Sequence, residues 1–572
     1  MKKNYPILLF FSWALFHGMA NAQPWMKQTL PSSRQEPRKP NFSDISGKFN
    51  AYWNDRKISL RDEENADEGG YQQFKRWEWF TKQRTFPSGE FFSPYILLRE
   101  YKKYQQQHAS ALARTASPNW SFIGPAVVPG GGGGAGRVNV IRFDPINPQT
   151  MYLGAACGGI WKSVDGGQTW STNTDLLPAL SIADMAINPR NPDTMYVATG
   201  DGYGYEYLND FWGGTYSAGV LISTDRGVTW NSTGLVYSQS QTDIIQRIVV
   251  NPVHPEVVMI ATRNGIFRSG NGGASWNMVA SDHFYDIEFN TSNPDIVYAT
   301  DETSLHRSLD GGQTWSQLAQ GLCTGRISIA TTAANPDVIY ALCEYGTFMR
   351  SDDGGVTFNQ LASPQTTFYG YYDCVLAASQ VDEMTVYCGG VGVTKSVDGG
   401  VSWQSASNTG GGNDYVHADN HFIDFYPGSN SRVFSGNDGG IFMTDDGGSN
   451  WTDLSNTLGI KQYYRMSQSA SDPYLIYAGA QDNGTDRLSN GVWTPVYGAD
   501  GMECIVDYSN DNNVYVSYQN GGIQKSTDGG NTFTYISPSS GAWVTPYIID
   551  PVNPQTLYGG FYDVQKSTNG GL

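Results

Sequence analysis

The residues of this 572-residue chain that could do acid–base chemistry lie in a few irregular, glycine-rich segments. Hydrolysis of a glycosidic bond by direct attack of water needs two carboxyl groups about 6.5 to 9.5 Å apart, one protonated as the acid and one ionised as the base. The candidate catalytic carboxylates are Asp201, Asp438, Asp482 and Asp500. Because glycine lies within two residues of each, capping of a turn by the aspartate is the competing interpretation.

Aromatic and polar side chains accompany these carboxylates. Flat rings bind the apolar face of a sugar or a peptide side chain equally well, so they indicate a ligand without naming it. The candidate ligand-binding residues are Tyr203, Tyr205, Glu206, Tyr207, Asp210, Trp212, Tyr371, Tyr372, Asn413 and Asp414.

The stretch HADNH at 417–421 places His417, Asp419 and His421 at alternate positions. In an extended strand all three side chains would point to the same side. Imidazole and carboxylate together suit a metal ion such as zinc, whereas a hydrogen-bonded polar cluster lining a central channel is the alternative. A bound metal ion is therefore a candidate, and no other cofactor is expected.

A repeated eight-residue segment, here called the box, indicates which elements position these residues. It reads SVDGGQTW at 163–170 and returns, with small changes, at 223, 269, 308, 351, 396, 444 and 526, and a shortened copy, STNGGL, ends the chain. Most starts are about 40 to 60 residues apart, a period typical of a propeller blade of four strands.

The composition of the box predicts a turn that caps itself. Asp165 can accept hydrogen bonds from N–H groups of its own turn, the glycines after it can adopt a positive φ, and Trp170 can cover the hairpin base. Asn271 and Asn569 replace the aspartate in two copies, which keeps an acceptor oxygen but not the charge that catalysis or metal binding needs. The boxes are therefore predicted to be structural.

A second signature precedes each box. FDPINPQTMYLGA and INPRNPDTMYVAT are two copies, each typical of two strands joined by a Pro/Asn turn. The copy SASDPYLIYAGAQDNG marks a unit whose box has decayed to RLSNGVW, which brings the total to ten units, the last incomplete. We expect the ten units to close into one ring, with NWSFIGP at 119–125 completing the last blade, because closure removes exposed strand edges.

This strand order divides the connections between two faces. Turns between strands one and two emerge with the boxes on one face, here called the box face. The opposite face, here called the loop face, receives the varied segments at 200–219, 366–373, 408–421, 436–440, 480–484 and 497–501. All the candidate residues above lie in these segments, so function is expected at the loop face.

The pattern Ser-x-Asp-x-Gly-x-Thr-Trp, carried by Ser163, Asp165, Gly167, Thr169 and Trp170, resembles the Asp-box or BNR repeat. This repeat occurs in sialidases, in inverting xyloglucanase-type endo-glucanases, in sortilin-like receptors and in exported bacterial proteins. The resemblance implies an all-β Asp-box β-propeller of about ten four-stranded blades, preceded by a short helical N-terminal region. It is specific for the fold and weak for activity, because fold does not imply function.

The composition indicates which partners to exclude, and the N-terminus indicates the cellular compartment. The formal net charge of −18 argues against binding to a phosphate backbone, so no nucleic-acid partner is expected. Residues 1–22 carry two lysines, an apolar run and Ala-Asn-Ala before Gln23, which predicts an export signal too short to span a membrane. We therefore expect a protein that is secreted or held on the outer surface of a Gram-negative bacterium.

The remaining chain is assigned to two regions, a linker and helical region at 23–115 and the propeller at 116–572. Apolar residues from Phe42 to Trp53 recur at helical spacing, which predicts a helix packed within its own domain. Leu572 falls inside a box, so we expect the propeller to be truncated here and a C-terminal sorting module to follow.

Six cysteines fit an exported protein. Cys374 and Cys388 flank a predicted hairpin of strands one and two, so they are the candidate disulfide pair. No partner can be assigned to Cys157, Cys323, Cys343 and Cys504, for which buried thiols are an equally good account.

Two classes of function remain open, and the sequence leaves undecided whether the protein is an enzyme. The first is an exported protein that binds an extracellular polysaccharide or glycoprotein on the loop face. The alternative is an inverting glycoside hydrolase resembling the xyloglucanase type. Sialidases match less well, because Arg-Ile-Pro is absent. Sortilin-like receptors carry a membrane span that this chain lacks.

Overall fold

The structure is a computed structural model that describes residues 41–54, 71–91, 95–96, 99–101, 103–104, 106–107, 121–126, 133–203, 205–207, 210–212, 214–238 and 243–572. These residues form two compact units, one up to residue 96 together with Ser238 and one from residue 99 onward. The predicted export signal lies outside the described residues. Within the described part of the chain, no helix is long and apolar enough to cross a membrane.

The first unit contains two helices, α1 (Phe42–Asn54) and α2 (Tyr71–Lys82). Phe49 of α1 is fully buried and stacks on Phe74 of α2 with 3.6 Å between ring centroids. The helix predicted from the apolar stripe is therefore confirmed, and its apolar side packs within its own unit.

The described part of the second unit contains eleven antiparallel sheets. Eight have four strands and two have three, and these ten are here numbered blades 1 to 10. Blade 1 consists of β1 (Val138–Phe143), β2 (Met151–Ala155) and β3 (Ile160–Ser163). Blade 2 consists of β4 (Ile182–Ile187), β5 (Met195–Thr199), β8 (Gly219–Ser223) and β9 (Asn231–Val236), and the separate hairpin β6 (Tyr205–Tyr207) and β7 (Asp210–Trp212) lies between β5 and β8 in sequence. Blade 3 consists of β10 (Ile245–Val250), β11 (Val258–Thr262), β12 (Gly265–Ser269) and β13 (Asn277–Ala280).

The next four sheets repeat the same order. Blade 4 consists of β14 (Asp286–Phe289), β15 (Val297–Thr300), β16 (Ser304–Ser308) and β17 (Ser316–Gln320). Blade 5 consists of β18 (Ile327–Thr331), β19 (Ile339–Cys343), β20 (Phe348–Ser351) and β21 (Asn359–Gln360). Blade 6 consists of β22 (Val375–Ala378), β23 (Val386–Gly389), β24 (Val393–Ser396) and β25 (Gln404–Ser405). Blade 7 consists of β26 (Asn420–Phe425), β27 (Val433–Asn437), β28 (Gly440–Thr444) and β29 (Thr452–Asp453).

Three sheets follow. Blade 8 consists of β30 (Tyr463–Gln468), β31 (Ile476–Ala480), β32 (Gly484–Ser489) and β33 (Val492–Tyr497). Blade 9 consists of β34 (Cys504–Val506), β35 (Val514–Tyr518), β36 (Gly522–Ser526) and β37 (Thr534–Tyr535). Blade 10 consists of β38 (Tyr547–Ile549), β39 (Leu557–Gly560) and β40 (Val564–Ser567). The fold is thus the predicted all-β propeller with about ten blades.

The ring closes after seven blades. The innermost strand β1 packs against β4 on one side and against β26 and β27 on the other. Phe143 of blade 1 meets Phe434 of blade 7 at 5.1 Å between ring centroids. A channel of about 680 Å³ is lined by the innermost strands of all seven blades. The expectation of one ten-bladed ring is therefore wrong, and blades 8 to 10 form a separate row in which β30 packs beside β34.

The segment expected to complete the last blade lies elsewhere. The carbonyl of Ile123 accepts a hydrogen bond from the indole N–H of Trp493 in β33 at 2.6 Å. The carbonyl of Ala126 accepts one from the N–H of Thr457 at 2.5 Å. Residues 121–126 therefore pack beside blade 8, and that part of the closure prediction is also wrong.

A tyrosine of the second strand links most blades to the box of the next. Tyr152, Tyr196, Tyr298, Tyr340, Tyr387, Tyr477 and Tyr515 are all at most 2% exposed. The hydroxyl of Tyr152 donates to the carbonyl of Arg226, and that of Tyr477 donates to the carbonyl of Gly529. These rings bury a large apolar surface while the hydroxyl satisfies a box carbonyl, which stabilises the blade-to-blade contacts.

The boxes cap themselves as predicted. Asp165 Oδ1 accepts hydrogen bonds from Ser163 Oγ at 2.8 Å and from the N–H of Thr169 at 2.9 Å. Gly166 and Gly167 have φ values of 72° and 89°, which a side chain would disfavour. In the third copy Asn271 accepts the equivalent bond from the N–H of Ser275 at 2.9 Å without a charge.

We expect Asp310→Ala, in the fourth box, to lower the free energy of unfolding by about 1 kcal/mol, because a solvent-exposed turn loses its bonds from Ser308 and Thr314. Burial is the largest single influence and opposes the shift, but the hydrogen bonds from Thr314 and Ser308 together outweigh it and lower the pKa of Asp310 to about 2. The contribution is therefore complete above the ordinary aspartate pKa and is lost as the pH falls towards 2.

Urea unfolding at neutral and acidic pH measures this effect. Asp310→Asn is the matched control, because Asn271 keeps the same turn bonds, and it should retain most of the stability. An alanine variant as stable as the wild type at neutral pH would contradict the structural role of the box.

The disulfide joins a different pair of cysteines from the one expected. Cys323 and Cys343 are bonded, whereas Cys374 and Cys388 are buried thiols in the core of blades 5 and 6. Cys343 ends β19, and Cys323 lies in the connection between blades 4 and 5, so the bond ties a loop to the neighbouring blade. Cys504 is a buried thiol and Cys157 an exposed one.

Candidate active site

The loop face holds the predicted segments. Each blade is a meander, so the connections between its second and third strands and those between blades emerge opposite the boxes. Asp201, Asp438 and Asp482 follow the second strands of blades 2, 7 and 8, and Asp500 lies between blades 8 and 9. The strand order therefore brings the candidate carboxylates to one face, as the sequence predicts.

Arg137, just before β1, holds two of these carboxylates in a buried network. Its guanidinium pairs with Asp201, and its Nε lies 4.0 Å from Asp438 Oδ1. Tyr372 accepts from Arg137 Nη1 at 3.3 Å and donates its hydroxyl to Asp438 Oδ2 at 2.7 Å. Asp201 and Asp438 are each 1% exposed, so both carboxyl groups are closed to a substrate.

His421 completes this network. Its Nε2 lies 2.8 Å from Asp438 Oδ1. Burial lowers the pKa of His421, so the ring is neutral and its Nε2–H donates to the carboxylate. Burial alone would raise the pKa of Asp438, but His421 and Arg137 outweigh it and leave that pKa below its ordinary value. Asp438 is therefore a permanent negative charge at the centre of the face.

The metal-ion prediction does not match this geometry. Asp419 has a left-handed φ of 64°, and the strand register shifts between Asn420 and Phe422, so 417–421 is not a regular extended strand. His421 is turned to Asp438, and His417 Nδ1 lies 3.2 Å from the carbonyl of Ala418. Within the described residues, no group of three histidine, cysteine or acidic side chains is placed to hold a metal ion.

Asp482 and Asp500 form a carboxyl pair. The backbone N–H of Asp482 donates to Asp500 Oδ1 at 2.8 Å. Gln481 Nε2 donates to Asp482 Oδ1 at 2.7 Å and to Asp500 Oδ1 at 2.9 Å. Burial, the charge of Asp438 and the neighbouring Asp500 together raise the pKa of Asp482 to about 9. The half-buried Asp482 therefore carries a proton at neutral pH, as a proton donor must.

Asp419 is a third carboxyl group whose pKa is raised by its surroundings. Burial and the charges of Asp438 and Asp500 raise its pKa to about 7. Its side chain is half-buried, and its Oδ1 has no hydrogen-bond partner among the described residues. Near neutral pH this group exchanges its proton readily, which suits a base. Burial, followed by the charge of Asp438, thus raises the pKa values of Asp419 and Asp482 above those of ordinary aspartates.

The predicted ligand-binding residues divide into several groups. Tyr203 lines the channel, donates its hydroxyl to the carbonyl of His421 at 3.0 Å, and lies under the guanidinium of Arg326 at 4.9 Å. The hydroxyl of Tyr372 is hydrogen-bonded within the buried network, and the carbonyl of Tyr371 accepts a hydrogen bond from Arg326. Asn413 and Asp414 lie in the connection between blades 6 and 7, where their carbonyls accept backbone hydrogen bonds. The side chains of Tyr205, Glu206, Tyr207, Asp210 and Trp212 lie outside the described part.

Other exposed rings lie on the loop face. Tyr345, between β19 and β20 of blade 5, is 75% exposed, and Tyr369, between blades 5 and 6, is 61% exposed, so both rings lie on the loop face. Trp543, which is 47% exposed, lies between blades 9 and 10 on the same face. Sequence reasoning missed Tyr345, Tyr464, Gln481 and Trp543. Three of them lie in irregular segments between boxes, which was their only signal, whereas Tyr464 lies in β30 and gave none. Exposed aromatic rings are therefore available on the loop face in blade 5, between blades 5 and 6 and between blades 9 and 10.

The sequence of this chain is similar to part of the sequence of known xyloglucanases. No protein-family model matches the chain. A xyloglucanase of Paenibacillus sp is 25% identical over 307 residues, covering 52% of this chain and 27% of that protein. A xyloglucanase of Acetivibrio thermocellus is 28% identical over 174 residues, covering 28% of this chain and 20% of that protein. The chain spans about a quarter or less of the length of these curated relatives.

Among solved structures, an ancestral GH74 enzyme matches with a TM-score of 0.57 at 17% identity, covering 80% of this chain and 69% of that one. At this identity the likeness shows the fold alone. The chain is thus a β-propeller protein with sequence similarity to xyloglucanases.

Proposed function

We propose that the protein hydrolyses an extracellular polysaccharide at the loop face by direct attack of water, with Asp482 as the acid and Asp419 as the base. The observation that carries this proposal is the pair of displaced pKa values, about 9 for Asp482 and about 7 for Asp419. Two carboxyl groups whose surroundings separate their pKa values suit the acid and base roles of a glycosidase.

Binding without hydrolysis explains less of the site. A binding protein needs the aromatic rings but not a carboxyl group that stays protonated above neutral pH. The similarity to xyloglucanases also favours the hydrolase alternative over binding alone.

The substrate is expected to be a neutral polysaccharide. Exposed rings at Tyr345, Tyr369 and Trp543 suit the apolar faces of sugar rings. The chain carries a net charge of −18, which repels anionic glycans. Xyloglucan is the first polymer to test, because the relatives described above are named xyloglucanases. The predicted export signal would deliver the protein to such a substrate.

Incubation with xyloglucan, other neutral glucans, anionic glycans and glycoproteins tests the proposal, with both retention and new reducing ends recorded. We expect new reducing ends from a neutral glucan. The rate should rise as the pH passes about 7, when Asp419 ionises, and fall as it passes about 9, when Asp482 loses its proton. Retention with no new reducing ends at any pH in this range would refute hydrolysis.

A further inference from the structure

Trp543 is joined to the carboxyl pair by an unbroken chain of hydrogen bonds. Its indole N–H donates to the hydroxyl of Tyr464 at 3.3 Å, and that hydroxyl donates to Gln481 Oε1 at 2.5 Å. Gln481 Nε2 then donates to both Asp482 and Asp500. The chain runs from a half-exposed ring between blades 9 and 10 to the acid of blade 8.

The side-chain amide of Gln481 has one orientation that satisfies all its neighbours. Its NH₂ group faces two carboxyl groups, and its oxygen faces a hydroxyl. A flipped amide would turn the oxygen towards Asp482 and Asp500, where acceptors would oppose one another. Burial raises the pKa of Tyr464, so its hydroxyl keeps the proton that it donates to Gln481. Tyr464 therefore sets the orientation of Gln481.

The exposed ring has the chemistry of a sugar platform. Trp543 is 47% exposed, while its N–H is held by Tyr464, so the ring is fixed in place and open to solvent. A rigid indole face packs against the C–H face of a neutral pyranose at little cost in conformational entropy. Tyr562, 85% exposed, follows Phe561, which bridges to Gly541 near Trp543. Aromatic surface thus extends beyond the carboxyl pair on the side of blade 10.

We propose that Trp543 is a stacking subsite for a neutral pyranose ring, and that Tyr464 and Gln481 are positioning residues that couple its occupancy to the proton held by Asp482. A sugar stacked on the indole excludes water from its N–H group, which strengthens the bond to Tyr464 and, through it, the hold of Tyr464 on Gln481. The stacking part is independent of any reaction, whereas the coupling rests on the proposed hydrolysis or on pH-dependent binding.

The stacking part is tested by calorimetric titration of neutral gluco-oligosaccharides into the full chain. Trp543→Ala should weaken binding at least tenfold, whereas Trp543→Phe, which keeps a flat ring, should retain most of the affinity. Tyr474→Ala is the control, because Tyr474 is 72% exposed on the box face of blade 8, and its affinity should equal that of the wild type. Wild-type affinity in a folded Trp543→Ala variant, or no binding by the wild type, would overturn the subsite.

The coupling is tested by measuring the rate of hydrolysis and the oligosaccharide affinity of the Tyr464→Phe and Gln481→Leu variants as a function of pH. The bond from Gln481 lowers the pKa of Asp482, so its loss should move the high-pH fall of rate, or of oligosaccharide affinity, to higher pH. A change in rate or affinity with an unmoved pH profile would overturn the coupling and leave the subsite. Binding that depends on Trp543 in a wild type that cleaves nothing would support the subsite and refute the proposed hydrolysis.

Discussion

Asp482→Asn should slow the release of reducing ends by about 10²- to 10⁴-fold, the usual contribution of a positioned acid, while oligosaccharide affinity changes little. The amide has nearly the shape of the protonated carboxyl but cannot donate its proton to a leaving oxygen. Asparagine also tolerates the left-handed φ of 56° at this position. Gln481 Nε2 can still donate to the amide oxygen, so the local fold is preserved.

Two further variants make this result specific. Asp472→Asn is the matched control, because Asp472 caps the turn between β30 and β31 on the box face of the same blade. Its rate should equal that of the wild type. Asp419→Asn should lower the rate and remove the rise near pH 7. A folded Asp482→Asn variant with the wild-type rate would eliminate Asp482 as the acid.

Arg137→Leu should lower the free energy of unfolding by about 3 to 5 kcal/mol, because it leaves buried carboxylates at Asp201 and Asp438 without their cation. Leucine fills part of the space but supplies no hydrogen bond to either carboxylate. The contacts join blades 1, 2 and 7, so the loss also weakens the point at which the ring closes. Urea unfolding followed by fluorescence measures the change.

Arg465→Leu is the comparison for this variant. Arg465 lies in β30, is 60% exposed, and has its Nε 3.4 Å from Glu503 Oε2. An exposed ion pair contributes about 0 to 1 kcal/mol, so this variant should be nearly as stable as the wild type. Equal losses of stability in the two variants would show that the buried network around Arg137 has no special role.

Elements held by short-range hydrogen bonds could be predicted from the sequence. The capping bonds of Asp165 join residues two and four positions apart, so eight residues contain the whole structure of the turn. The paired strands around each Pro/Asn turn are equally local, and their order assigns the candidate carboxylates to the loop face. The propeller fold and the position of the site follow from these local patterns.

Features held by long-range contacts could not be predicted in this way. The repeat period contains no information on whether seven or ten blades close, because closure depends on Phe143 meeting Phe434 across the ring. The same reason explains the disulfide between Cys323 and Cys343, whose sulfurs meet through packing between a loop and a strand.

The chemical role of each aspartate is also a long-range property. Asp201, Asp438 and Asp482 each have a glycine within two residues and follow a second strand, and these local features do not predict their different roles. Arg137 and His421, brought in from other segments, keep Asp438 ionised, and that charge together with burial keeps Asp482 protonated. A pKa depends on burial and on neighbouring charges in space, so the division between fixed charge and proton donor arises only when the blades pack.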